Sequence, residues 1–212
     1  MRAERGYLLS YHEVLARTDP ALLEAYRRMY SQLTLEPRHL DARLRELVWT
    51  GLLTVAGEHV GSLHLDRALA AGVTVAELRL AVRLAGATAS WTALSFAHQN
   101  WAALLGRPGA EADYRQMVEI AGAGLESRDL ELVLLVCAAA RMCEEQFLNQ
   151  LRRCYDLGIP EAEIAETVSY VMQPLGANTL LWATDRWLDA LADGSIIAGE
   201  MLGDVSFDVR RT

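Results

Sequence analysis

Along this chain apolar residues recur three and four positions apart on a background of Ala, Leu, Glu and Arg, and runs in which apolar and polar residues alternate one by one are nearly absent. That spacing predicts helix nearly throughout. A first amphipathic helix is expected over residues 20–33, followed by a linker over 35–40. Asp41 is placed to N-cap a long apolar helix over 43–56, whose charged start gives way to Leu47-Val48-Trp49 and Leu52-Leu53. The next helix runs from about 58 to 71 and stops at Gly72, a residue suited to the left-handed position just past a helix end. Thr74 and Glu77 form a capping box that opens a helix over 75–89, and a further helix over 91–105 ends at Gly106-Arg107-Pro108-Gly109. Helices over 127–141, 143–157, 161–172 and 177–192 follow, the last two separated by Gln173-Pro174-Leu175-Gly176. Residues 193–212 read as loop or short extended structure.

The same order of elements is written twice. Residues 64–78 align without a gap on 150–164, an offset of 86, and the same offset pairs Trp101 with Trp187. The fold expected is one all-α domain of two tandem repeats related by pseudo-twofold symmetry. Its parts are an N-terminal helical extension (1–34), a first repeat (35–106), a linker helix (107–126), a second repeat (127–192) and a C-terminal tail (193–212). His64 in the first copy stands where the second has Gln150. An imidazole in one copy and an amide in the other predict that one copy does chemistry and the other supports it.

Composition narrows the function classes. The chain has 212 residues, enough to bury a sizeable core, and a net charge of −8. It carries no Lys/Arg block interleaved with aromatics, so neither nucleic acid nor an anionic membrane is an expected partner. No apolar run approaches the ~20 residues needed to span a bilayer. The opening Met1 to Arg5 leads into an amphipathic segment instead of a secretory signal, and the expected location is cytoplasmic. Cys137, Cys143 and Cys154 are odd in number and confined to the second copy, which predicts reduced thiols in place of a disulfide framework.

Candidate chemistry gathers on the second helix of each copy. His64 follows Gly61 and Val60 by three and four positions, so small side chains on the turn above the imidazole are expected to leave room for a ligand. Glu58 and His59 lie six and five positions before His64, a spacing that puts neither directly above it, and both also read as solvated helix-start charges. His98 reads either as a proton-transfer group or as a packed polar residue, and Trp91 and Trp101 either as core or as the lining of a desolvated pocket. His59 and His64 are five apart where paired helical ligands prefer four, and no metal is expected.

These residues resemble the carboxymuconolactone decarboxylase family, the all-helical superfamily that also holds the alkylhydroperoxidase-D-like proteins. The resemblance rests on Arg45-Glu46-Leu47 and Asp129-Leu130-Glu131-Leu132, on Cys143-Glu144-Glu145-Gln146-Phe147 and more loosely Gly57-Glu58-His59, and on Gln173 to Asn178 with Ala85 to Ser90 as its poorer counterpart. It covers about residues 35–191. It implies that His64 is the active-site histidine, with Glu58, His59, Glu145 or His98 as further acid–base candidates. Trp101, Trp91, Gln150, Cys143, Gln146 and Arg67 are the implied substrate contacts, Arg67 or Arg153 holding a carboxylate. The peroxidase branch uses a Cys-x-x-Cys pair before its histidine. The corresponding places here hold Gly57 and Val60 in one copy and Cys143 and Gln146 in the other, so peroxidase chemistry is not expected.

The resemblance therefore implies a cofactor-free acid–base enzyme that decarboxylates a small carboxylated lactone or related activated acid, assembled as a homo-oligomer, a trimer in the first instance. Two alternatives stay open: a cofactor-free isomerase, cyclase or hydrolase on the same fold, and a non-catalytic helical module that binds a ligand or partner.

Overall fold

The computed structural model describes residues 9–106 and 109–203. The opening Met1 to Arg5, Arg107 and Pro108 in the predicted break, and 204–212 of the predicted tail lie outside the described residues. The chain divides into two compact units, Met1–Pro37 and Arg38–Thr212. In the first, α1 (Ser10–Thr18) leads into α2 (Pro20–Tyr30), which Asp19 caps by accepting from the Leu22 N–H while Pro20 occupies the first turn. The predicted helix over 20–33 changes character before its end, because Ser31–Leu35 winds as a π-helical turn.

The second unit is helical throughout its described residues: α3 (Ala42–Ala56), α4 (Ser62–Ala70), α5 (Val75–Ala89), α6 (Trp91–Leu105), α7 (Ala110–Ala121), α8 (Ser127–Arg141), α9 (Glu144–Asp156), α10 (Glu161–Ser169), α11 (Met172–Leu175), α12 (Ala177–Ala192) and α13 (Glu200–Gly203). At its centre α3 packs on α8, with α5 against both and α9 on the far side of α8. Gly51 lets the two central helices meet: a Cβ there would stand 2.8 Å from Val133 Cγ1 and 3.2 Å from Cys137 Sγ. Leu44, Leu47, Val48 and Leu52 of α3 and Leu132 to Val136 of α8 are buried in this seam. Arg43 ties three helices together at one end, donating to Asp129 of α8 at 2.6 Å and to Glu77 of α5. The Glu77 carboxyl is held down to about 2, first by the Thr74 backbone N–H of its capping box and then by Arg43.

Local signals set most helix starts and ends. Asp41 accepts from the Leu44 N–H at 2.9 Å, and Thr74 and Glu77 form the expected capping box. Three expectations need correction. The helix predicted from about 58 begins as a 3₁₀ turn, His59–Gly61, whose cap is the Glu58 carboxylate on the Val60 N–H, and α-helix starts only at Ser62. The helix predicted over 161–172 ends at Ser169. The segment read as loop or extended contains α13, whose start is capped from far away: the Glu161 carboxylate accepts the backbone N–H groups of Gly199, Met201 and Leu202 at 2.8, 3.0 and 2.9 Å.

One helix end carries strain. α8 stops with Met142 at φ 52, a left-handed conformation, where α3 stops with Gly57 at φ 66. An L side chain costs roughly 1–2 kcal/mol in that region. Met142→Gly is expected to raise stability by about 1 kcal/mol, net of the entropy glycine adds to the unfolded chain and of a weak Thr179 contact, or ~2–4 °C in Tm. A thermal melt that moves down shows that the methionine contacts outweigh the strain.

Candidate functional site

α3 presents Glu46 and Trp49 one turn apart, and the tight Gly57 to Gly61 connection brings α4 back so that His64 meets both. The imidazole Nδ1 lies 2.7 Å from Glu46 Oε2, and all three side chains are buried. The His64 ring stacks on Trp49 with centroids 4.5 Å apart and planes 23° apart, and Tyr170 closes the other side of the indole at 4.9 Å. The second Glu46 oxygen takes the Arg45 guanidinium at 3.3 Å. Such a pair fixes the histidine: the carboxylate accepts the Nδ1 proton and leaves Nε2 as the nitrogen able to exchange one. Nε2 has no hydrogen-bond partner among the described residues. Burial pushes the His64 pKa below its ordinary value of 6.5; Glu46 opposes the shift, and the nearby charges of Arg67 and Arg45 add to it. The imidazole is therefore neutral at pH 7. The Trp49 indole N–H, buried beside it, also lacks a partner among the described residues.

The second half of the chain holds a different arrangement at the matching places. Buried Glu131 of α8 receives Arg115 at 3.0 and 3.1 Å and Arg153 at 2.9 Å. Gln150, where the first half has His64, donates to the Glu131 carboxylate and to its backbone carbonyl at 3.1 Å, and accepts from Arg115 at 2.7 Å. Here the carboxylate is saturated by donors.

Near the His64–Glu46 pair lies an open groove of about 340 Å³, with Thr50, Leu53 and Thr54 of α3 on one side, Gly57, Glu58, His59, Gly61, Ser62 and Leu65 on another, and Val82 of α5. His64 is not among its lining. The expected space above the imidazole is filled, since a Cβ on Gly61 would stand 2.4 Å from Leu53 Cδ1. The small residue at 61 thus serves a close approach of α4 to α3.

The other residues singled out from the sequence scatter. Glu58 and His59 are exposed at the groove rim, Glu58 spending its carboxylate on the Val60 N–H. Arg67 is half-buried one turn past His64. His98 is exposed on α6, and Trp101 packs only edge-on to Phe96 at 5.1 Å. Trp91 is core, against Tyr114 at 5.3 Å. Glu145 is exposed and accepts the Ser95 hydroxyl at 3.3 Å. Gln146 is buried, donating to the Thr88 carbonyl at 3.1 Å. Cys143 sits half-buried at the start of α9, while Cys137 and Cys154 are fully buried and their thiols pushed far above the usual range by desolvation. Among the described residues no three His, Cys, Asp or Glu side chains converge as a metal site. Glu46 and Trp49 were missed as site residues. The available signal was Glu46 on the preceding helix, 18 positions before His64, matched by Glu131 19 before Gln150.

The depressed pKa of His64 makes stability depend on pH with a definite sign. Between the ordinary value of 6.5 and the lower folded value the unfolded chain binds a proton that the folded chain refuses, so stability falls as pH drops through this window and is recovered above it. His64→Gln is expected to flatten the change in urea midpoint between pH 7.5 and 5.5, and equal slopes for both proteins would remove the buried neutral imidazole.

No curated protein and no solved structure matches the chain. Residues 20–103 match the model of the carboxymuconolactone decarboxylase family, a span that contains Glu46, Trp49, His64 and the groove. An all-helical unit whose first half buries a carboxylate–histidine pair is thus similar, over residues 20–103, to the carboxymuconolactone decarboxylase family.

Proposed function

We propose that the chain is a fusion of two carboxymuconolactone-decarboxylase-like repeats, 35–106 and 127–192, joined by a linker helix, and that the first repeat is a cofactor-free acid–base enzyme. Its substrate is a small carboxylated lactone or a related activated acid. The observation that carries this reading is the buried His64 with Nδ1 on Glu46 and Nε2 without a partner among the described residues. In decarboxylation His64 first takes a solvent proton at Nε2, the carbon–carboxylate bond breaks, CO2 leaves, the electron pair stays on the adjacent carbon, and the imidazolium delivers its Nε2 proton there and returns to the neutral ring. Glu46 compensates the imidazolium while it exists. Arg67, close enough to depress the histidine, is the cation that meets the substrate carboxylate or lactone oxygen, and the Trp49 N–H is a donor for charge that develops beside the ring. The half of the cluster around Glu131 and Gln150 supports the fold and exchanges no proton. Homo-oligomerisation, a trimer in the first instance, and a cytoplasmic setting accompany this reading.

A second reading is favoured by one fact: burial keeps His64 neutral at pH 7. A neutral imidazole is a base first, which suits an isomerase or cyclase that takes a proton from an acidic carbon and returns it elsewhere. The two readings give opposite pH profiles. With His64 as acid, kcat rises as pH falls toward its lowered pKa; with His64 as base, kcat falls there.

The test is CO2 release with a parallel ultraviolet scan over a panel of carboxylated lactones and β-keto acids. Wild type should turn over at least one of them, His64→Gln should lose roughly 10²–10⁴-fold, and Glu46→Gln should lose activity with a changed pH profile. Turnover without CO2 transfers the assignment to the isomerase or cyclase. Equal rates for wild type and His64→Gln sink acid–base catalysis at this site and leave a binding module.

A further inference from the structure

α6 lacks a partner over most of its surface. It has 15 residues and no Asp, Glu, Lys or Arg, yet of its side chains Trp91 alone is fully buried, while Phe96, Trp101, Leu104 and Leu105 are exposed. An uncharged helix that leaves Phe96, Trp101, Leu104 and Leu105 in water calls for an apolar surface to cover them. The second half of the chain shows which surface. α12 starts 86 residues after α6 and lies across α9 and α10. Trp182 packs on Phe147 at 5.5 Å, Trp187 donates to the Tyr155 hydroxyl at 2.9 Å, and Arg186 pairs with Glu144 at 3.2 Å. At the same offset the first half exposes what the second half covers. Leu65 is 40% exposed where Leu151 is fully buried, Val82 46% where Val168 is 1%, and Trp101 49% where Trp187 is 4%.

The backbone explains the difference. α12 turns back at Gly176, with φ 88 and ψ 170, a conformation essentially reserved for glycine. The residue 86 positions earlier is Ser90, at φ −72 and ψ −21, so α6 continues from α5 almost without a break and points away from its own α4 and α5 surface. An uncovered surface and an unpacked helix of matching kind remain in one chain that cannot join them.

We infer that α6 of one copy lies across α4 and α5 of a second copy, as α12 lies across α9 and α10 within the chain, and that the groove near His64 is completed only by this exchange. The inference rests on the two-repeat reading above, though not on the reaction assigned to it. Charge agrees: an uncharged helix meets a groove whose lining is uncharged except for Glu58 and His59 at its rim, and Asn100 takes the place opposite Glu58 that Arg186 takes opposite Glu144. Area agrees as well. Passed between two copies or around a closed ring, each protomer gives one helix ~22 Å long and receives one, on the order of the ~800 Å² per partner of a stable interface. The occupied groove is roofed by Phe96 and Trp101 of the second copy, which shields it from water.

Light scattering after size exclusion at tens of micromolar tests this. Wild type should run at two or more times 23.4 kDa, and Leu65→Glu and Trp101→Glu, on opposite sides of the contact, should each fall to monomer with unchanged helix content by circular dichroism. In a Cys143→Ser background, Glu58→Cys with Asn100→Cys should be joined by a short bismaleimide between chains. A monomeric wild type, an oligomer that survives both substitutions, or a cross-link closed within one chain overturns the exchange. None of these results depends on turnover, so a failed decarboxylase assay and a failed exchange are told apart.

Discussion

The meeting of α3 and α8 is the constraint on which the rest of the second unit depends. Gly51 brings the two backbones close, and the seam buries nearly the whole length of both helices, including a carboxylate on each, Glu46 and Glu131. A buried carboxylate without a partner costs several kcal/mol, so whatever packs beside these helices must answer it. α4 answers Glu46 with His64, and α9 and α7 answer Glu131 with Gln150, Arg153 and Arg115. The polar side chains on the surrounding helices are therefore consequences of the central seam.

The two answers differ in chemistry although their positions match. Two guanidiniums and an amide hold Glu131 in a network of direct hydrogen bonds. A single imidazole on Glu46, wedged against Trp49, leaves one ring nitrogen without a partner among the described residues, and burial holds its pKa below the ordinary 6.5. The difference follows from one ring replacing one amide, together with Arg115 reaching in from α7.

A comparable single-residue difference governs the surface. Gly176 allows the chain to reverse before α12, which buries Leu151, Val168 and Trp187, and Ser90 at the corresponding place keeps α5 and α6 nearly continuous. The apolar content of α6 is visible in its letters, and from letters alone it reads as core. Only the direction in which Ser90 sends the helix decides that its apolar face is left outside.

By itself the sequence determined the helices, because capping residues and apolar spacing act within a few residues of where they stand: Asp41 and the Thr74–Glu77 box open α3 and α5, and the ranges expected for 75–89, 91–105, 127–141 and 177–192 are those observed. It also singled out His64 and its exchange for Gln150. It did not reveal that Glu46, 18 positions earlier, is the partner of His64, that Leu53 fills the space over Gly61, or that Glu161 caps α13 from 38 or more residues away. Those are meetings between helices, set by how close two backbones can approach and by the need of each buried charge for a partner, and only the tertiary structure decided them.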